Sequence, residues 1–149
     1  MRKYLILLLL FLLPISSAAQ ENNYFLMLKN KKVNVRYGPS LDHPVKYIYR
    51  KINLPVKVID KKENFRRIID HKNNSGWIHW TQLENSISLI TTSEKILFKK
   101  PTKFSEPLAR LGEGRLLIVI KCQDKWCNVK TEGYEGWVLK DDNLWGKIN

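Results

Sequence analysis

The chain has 149 residues, with 26 Lys and Arg against 14 Asp and Glu, and a formal net charge of +12. That length allows one ordinary domain or two very small ones. Its two cysteines and three scattered histidines do not assemble a zinc site, which normally takes four ligands.

The first residues read as an export signal. Met1, Arg2 and Lys3 are a basic start, residues 4–14 are an apolar run rich in Leu, and Ser17, Ala18 and Ala19 supply the small side chains a signal peptidase accepts. A signal peptide over residues 1–19 is expected, with cleavage before Gln20. The apolar run falls short of the roughly 20 residues that span a bilayer, and no Cys sits at the cleavage site to carry a lipid. The mature protein is therefore expected in the periplasm or outside the cell. Losing Arg2 and Lys3 takes the net charge from +12 to +10, which favours an anionic partner. Export argues against nucleic acid and leaves phospholipid head groups, acidic glycans or an acidic protein. A second reading of the charge stays open: an AT-rich genome favours Lys, Asn and Ile codons, and the charge then serves solubility alone.

Tyr24–Leu28 reads as a first strand, and a pattern then occurs twice. Val35 through Pro39 and Ser40 is answered by Leu97 through Pro101 and Thr102. Leu54, Pro55, Val56, Val58 and Ile59 are answered by Leu116, Leu117, Ile118, Val119 and Ile120. Phe65, Arg66, Arg67, Ile68 and then Gly76, Trp77, Ile78 are answered by Trp126, Cys127, Asn128, Val129 and then Gly136, Trp137, Val138. The aromatic-to-Trp spacing is 12 residues in one copy and 11 in the other. Four motifs in one order at a nearly fixed offset define a repeat of about 60 residues. Short β-branched runs broken by turn residues mark both copies as strands, with hairpin connections at residues 71–75 and 131–134. No helical period follows Gln20. A unit this small is marginal alone. Residues 86–91 alternate like a strand and contain no Gly or Pro, so they are not a flexible linker. The expectation is an all-β chain of two tandem small barrels packed together: a first over 20–84, a connecting strand over 85–95 and a second over 96–149.

These motifs resemble those of exported bacterial proteins with tandem Src-homology-3-like (SH3-like) domains. The resemblance rests on the run from Val33 to Ser40, on Leu54-Pro55-Val56, the run from Phe65 to Asp70 and Gly76-Trp77-Ile78-His79. In the second copy it rests on Cys122, Trp126-Cys127, Gly136-Trp137-Val138 and Leu144-Trp145-Gly146. It implies two five-stranded, strongly bent barrels, a role in binding peptidoglycan or peptides at the cell envelope, and neither catalytic residues nor a cofactor. Two departures stand out. Phe65 sits where many such repeats carry Trp, and Lys99-Lys100-Pro101-Thr102 replaces the Arg36-Tyr37-Gly38-Pro39-Ser40 of the first copy, so the two barrels need not bind the same ligand.

Cys122 ends one strand and Cys127 opens the next across a tight turn, a placement that predicts a disulfide in an oxidising compartment. The aromatic residues Tyr37, Trp77, Trp80, Tyr134 and Trp137 are the candidate ligand contacts, because aromatic grooves of related barrels receive extended peptides. The competing reading has these rings sealing the contact between the barrels or covering their ends, in a structural or assembly protein whose barrels only pack against a partner. His43, His71 and His79 fall in a loop, a turn and a strand with no ligand-spaced partner. Asp141-Asp142 reads as a solvated turn. No GxSxG, HExxH or paired-carboxylate spacing is present, so an enzyme is not expected. The clusters Lys29-Asn30-Lys31-Lys32, Lys46, Arg50-Lys51, Lys61-Lys62 and Arg66-Arg67 place most of the grouped charge in the first barrel, where an anionic surface and a plain solvated face are both admissible partners.

Overall fold

The computed structural model describes residues 23–147; the expected signal peptide lies outside them. The first half forms β1 (Tyr24–Leu28), β2 (Val33–Arg36), β3 (Val45–Tyr49), β4 (Pro55–Lys62), β5 (Phe65–Ile69), β6 (Ser75–His79), a 3-10 turn at Trp80–Gln82 and β7 (Leu83–Asn85). The second half forms β8 (Ser88–Thr91), β9 (Lys95–Phe98), β10 (Pro107–Leu111), β11 (Leu116–Gln123), β12 (Trp126–Thr131), β13 (Tyr134–Leu139) and β14 (Leu144–Trp145). Among the described residues no helix is long and apolar enough to cross a membrane.

Each half is one antiparallel sheet, ordered β3-β2-β6-β5-β4-β1-β7 and β10-β9-β13-β12-β11-β8-β14. Adding seven to every label of the first sheet gives the second, so the sequence repeat is a repeat of whole topology. The resemblance led to five strands per barrel, and each sheet has seven. The difference lies at one edge: β1 pairs with β4 and the short β7 pairs with β1, while β8 and β14 do the same beside β11. These additions cover the backbone edge of the eight-residue strands β4 and β11, leaving only strands of two or three residues at that margin.

Register is set by alternation. In β2, Val33 and Val35 are buried while Asn34 is exposed and Arg36 half-buried. In β6, Gly76 and Ile78 face the core while Trp77 and His79 are half-buried on the other face. Bulges fall at matching places in both copies, with Lys46 and Leu108 the extra residues in β3 and β10, and Ile59 and Ile120 those in β4 and β11. A bulge bends its strand and sharpens local twist, so paired bulges curl both sheets alike. Gly76 permits the closure of the first sheet, because a Cβ there would sit 2.4 Å from Val35 Cγ1. Gly136 does the same in the second, where a Cβ would lie 2.7 Å from the carbonyl oxygen of Phe98.

The two cores meet through β8, whose four residues are all buried. Leu89 packs in the second core with Leu97, Leu117 and Val129, whereas Ile90 packs in the first with Leu28, Val56 and Ile68. Ser88 donates its hydroxyl to the carbonyl of Asn53 at 2.6 Å. Trp145 donates its indole N–H to the Pro55 carbonyl at 3.3 Å and meets the Phe25 ring edge-on at 5.3 Å. Two tandem SH3-like β-barrels therefore pack together without a flexible segment between them.

Each copy carries one local device of its own. In the first, the buried Asp70 organises the β5–β6 hairpin: Oδ1 accepts from the backbone N–H groups of Lys72 and Asn74, each at 2.9 Å, and Oδ2 accepts from Tyr49 at 2.8 Å. In the second, Cys122 and Cys127 are cross-strand partners of β11 and β12 joined by a disulfide, and Cys127 is fully buried. Asp141 lies in the solvated turn expected of it and has a charge partner there. Its carboxylate accepts from Lys95 Nζ at 2.6 Å, and that Lys is buried at the place Val33 holds in the first barrel.

Candidate functional site

The outer faces of the barrels are built on one ladder rung. In the first barrel Trp77 on β6 lies between Arg36 on β2 and Arg67 on β5, its Cα partners on either side. Because Ile78 is held in the core, the period-two alternation sends the Trp77 ring outward. Lys46, the bulge residue of β3, reaches across β2 to donate to the Ser75 carbonyl of β6 at 2.8 Å, and its ammonium lies 5.7 Å from the centre of the Tyr37 ring.

These residues line a cleft of about 320 Å3 bounded by Arg36, Tyr37, Lys46, Arg67, Ser75 and Trp77, with Gly76 at its floor. Tyr37 is 63% exposed. The Ser75 hydroxyl is buried in the wall without a hydrogen-bond partner among the described residues. Among the described residues no carboxylate lines the cleft.

One wall is a folded loop between β2 and β3. The Arg36 guanidinium donates to the His43 carbonyl at 2.7 Å, the Ser40 hydroxyl bonds the His43 ring at 2.9 Å, and the Tyr37 N–H donates to the Pro44 carbonyl at 3.2 Å. The His43 ring packs against Gly38, where a Cβ would fall 2.3 Å from the ring and displace it. His43 is thus a strut of that loop. His79 bonds Thr81 at 2.7 Å and meets Phe65 edge-on, and burial of the His71 ring pushes its pKa down. Among the described residues no three of His, Cys, Asp and Glu gather into a metal-binding group.

The five candidate aromatics do not form one surface. Tyr37 and Trp77 share the cleft. Trp80, 52% exposed, lies beyond it, with its ring tilted against His79 at 6.5 Å. His79 lines a second cleft of about 350 Å3 together with Lys32, Leu41 and Phe65, and Arg36 is the wall common to both clefts. Tyr134 and Trp137 were expected to form a matching pair in the second barrel, but they stand three residues apart in β13 with unbroken register, so their side chains leave opposite faces. Tyr134 instead lines a cleft of about 460 Å3 at the junction of the barrels, with Leu116, Ile118 and Lys51. Neither Trp77 nor Trp137 fills the space between the barrels; Trp145 takes that place.

Sequence reasoning noted Lys46 and Arg66-Arg67 as basic positions but did not bring them together with Arg36. Arg36, Lys46 and Arg67 are scattered over 32 positions and meet only because β2 and β5 flank β6 and β3 lies beside β2. The signal available was alternation, which puts Arg36 and Arg67 on the outward side of strands whose inward residues are apolar.

The bacterial SH3 domain family matches the chain twice, over residues 29–85 and 92–146, and the chain belongs to that family. Bacterial SH3 domains are binding modules. Among solved structures the chain is similar to NlpC2 from Trichomonas vaginalis, at 16% identity and a TM-score of 0.38, over 85% of this chain and 49% of that one. It is also similar to NlpC1 from the same organism, at 17% identity and a TM-score of 0.38, over 88% of this chain and 48% of that one. The chain spans about half the length of these two proteins. No curated protein matches it.

Proposed function

We propose that the protein is an exported, non-catalytic module that acts at the cell envelope, binding peptidoglycan, a peptide or an envelope protein through the outer cleft of its first barrel. The observation that carries this reading is the pairing of Tyr37 and Trp77 across a cleft open to solvent. An exposed aromatic ring beside a half-buried one gives a flat apolar platform with polar margins, the surface that extended chains dock on in related barrels. The inter-barrel contact is filled by Trp145, so packing between the barrels leaves Trp77 available. Membership of a family of binding modules supports the same reading, and the resemblance described above supplies the envelope as the setting.

The test is co-sedimentation of residues 20–149 with isolated peptidoglycan sacculi at low and high salt, beside Trp77→Ala and Trp137→Ala. Retention at high salt that Trp77→Ala removes and Trp137→Ala leaves intact is the expected result. Retention that vanishes with salt alike in all three proteins would reduce the interaction to nonspecific charge. A complete lack of retention would remove peptidoglycan as the ligand.

A further inference from the structure

We infer that the first-barrel cleft recognises a carboxylate on its ligand, held by Arg36, Lys46 and Arg67 while Trp77 takes the adjoining apolar part. This rests on the proposal that the cleft is the binding site, and it adds the chemical class of what binds there.

The protein contains its own control. Register places Phe98 where the first barrel has Arg36, Leu108 where it has Lys46 and Asn128 where it has Arg67, while Trp137 and Gly136 repeat Trp77 and Gly76. Three cations on three strands are all neutral in the other copy, around the same Trp. A codon bias toward Lys does not account for this pattern, because two of the three cations, Arg36 and Arg67, are Arg. The asymmetry extends to the whole barrel, since residues 23–85 carry 13 Lys and Arg against 5 Asp and Glu, and residues 86–147 carry 11 against 8.

The cations of the cleft also lack counter-charges. All five ion pairs among the described residues belong to the second half. Asp60 is the cross-strand neighbour of Arg67, yet its Oδ1 accepts from the Lys61 N–H at 2.7 Å and it makes no ion pair with the guanidinium. Like charges gathered in one cleft repel, and an anion entering it relieves that repulsion. Arg36 and Lys46 are steadied by their bonds to the His43 and Ser75 carbonyls, and each keeps further N–H groups to donate, because a guanidinium has five and an ammonium three. A planar carboxylate matches the guanidinium fork.

The ring completes the site. Lys121 lies over Trp137 at 5.7 Å, so in the second barrel the protein's own cation occupies the ring face. The corresponding residue in the first barrel is Asp60, across the same rung, and among the described residues no cation lies over the Trp77 face. An apolar group next to a carboxylate, as at the end of a peptide or on a peptidoglycan stem, satisfies ring and cations together.

The experiment is a calorimetric titration of the mature protein with four probes: a disaccharide-tetrapeptide muropeptide with free carboxylates, its fully amidated counterpart, and an unrelated tetrapeptide with a free or an amidated C-terminus. The free muropeptide is expected to bind at least tenfold more tightly than the amidated one. Arg67→Gln is expected to erase that difference, because the Arg67 side chain is exposed and makes no bond within the described chain. Lys121→Gln, which removes one equal charge from the second barrel, is expected to leave it unchanged. The unrelated peptide separates sources: discrimination there as well means a carboxylate on any peptide suffices, and discrimination by the muropeptide alone ties the carboxylate to the stem. Equal affinity for free and amidated forms overturns the inference while leaving the cleft a binding site. Equal losses in Arg67→Gln and Lys121→Gln overturn it in favour of overall charge. Failure of all four probes to bind overturns the inference and removes peptidoglycan fragments as ligands of the cleft.

Discussion

Leu89 and Ile90 are consecutive residues of one strand, and they are buried in two different hydrophobic cores. The strand lies in the second sheet by hydrogen bonding, yet one of its side chains completes the first barrel. Ile90→Ala should therefore destabilise both barrels, by about 2–5 kcal/mol, the range for truncating a fully buried Ile. Urea unfolding followed by Trp fluorescence and far-UV circular dichroism should show one coincident transition. Two resolved transitions would mean the barrels unfold separately and the shared strand contributes little.

Lys95 is buried where the first barrel has Val33, and Asp141 is its charge partner. Asp141→Ala leaves an ammonium in an apolar site and is expected to cost about 1–2 kcal/mol, less than a fully buried pair because the Asp side chain is 35% exposed. Lys95→Val copies the first barrel and should be neutral or stabilising, and in the double variant the penalty of Asp141→Ala should disappear. Thermal midpoints of the four proteins form the double-mutant cycle, and a penalty that persists in the Lys95→Val background would assign Asp141 a role apart from the pair.

Burial opposes ionisation of Asp70, but the donors from Asn74, Tyr49 and Lys72 outweigh it and hold its pKa below the ordinary carboxylate value; Lys95 does the same for Asp141. A carboxylate whose pKa is lower in the folded state than in the unfolded state contributes stability that is complete above the unfolded value, near 3.9, and is lost as pH falls through the folded one. The burial-depressed His71 adds an earlier loss, starting as pH drops through about 6.5, where the unfolded ring takes up its proton. Urea midpoints measured from pH 7 to pH 2.5 should fall in these two windows. Asp70→Asn should lower the midpoint at pH 7 and flatten the acid branch, and an unchanged acid branch would place the titration elsewhere.

Reducing the Cys122–Cys127 disulfide reopens a loop closed over a separation of five residues, worth roughly 2 kcal/mol on the chain-entropy estimate. Cys127 stays buried in the second core when reduced, so the fold should persist. The urea midpoint with and without reductant measures the difference.

Much of the architecture was legible because it is written twice. The Gly-Trp-apolar motif fixed strand phase in both copies, and the two-residue periodicity put Ile78 and Val138 inside with Trp77 and Trp137 outside. The disulfide followed from two cysteines flanking a hairpin turn. What stayed hidden depended on partners distant in sequence. Trp145 reads like the end of a barrel motif and is in fact the ring that joins the barrels, because its partners Phe25 and Pro55 lie in the other half. Lys95 looked like one more basic residue, since nothing local announces that its strand turns it inward. The division of Tyr134 from Trp137 was readable from their odd spacing, whereas the gathering of Arg36, Lys46 and Arg67 required the order of strands across the sheet.

A protease needs several extended, unpaired residues to seat a chain in its active site. Between the last strand of the first sheet and the first strand of the second there are two, Ser86 and Ile87, and Ser86 is buried. Cleavage there cannot release a working first half, since the second half would carry Ile90, Leu116 and Trp145 out of the first core. A duplication that began as two copies has become, in this chain, a single object for degradation, for refolding and for selection: damage to the copy without the cationic cleft is felt by the copy that has it.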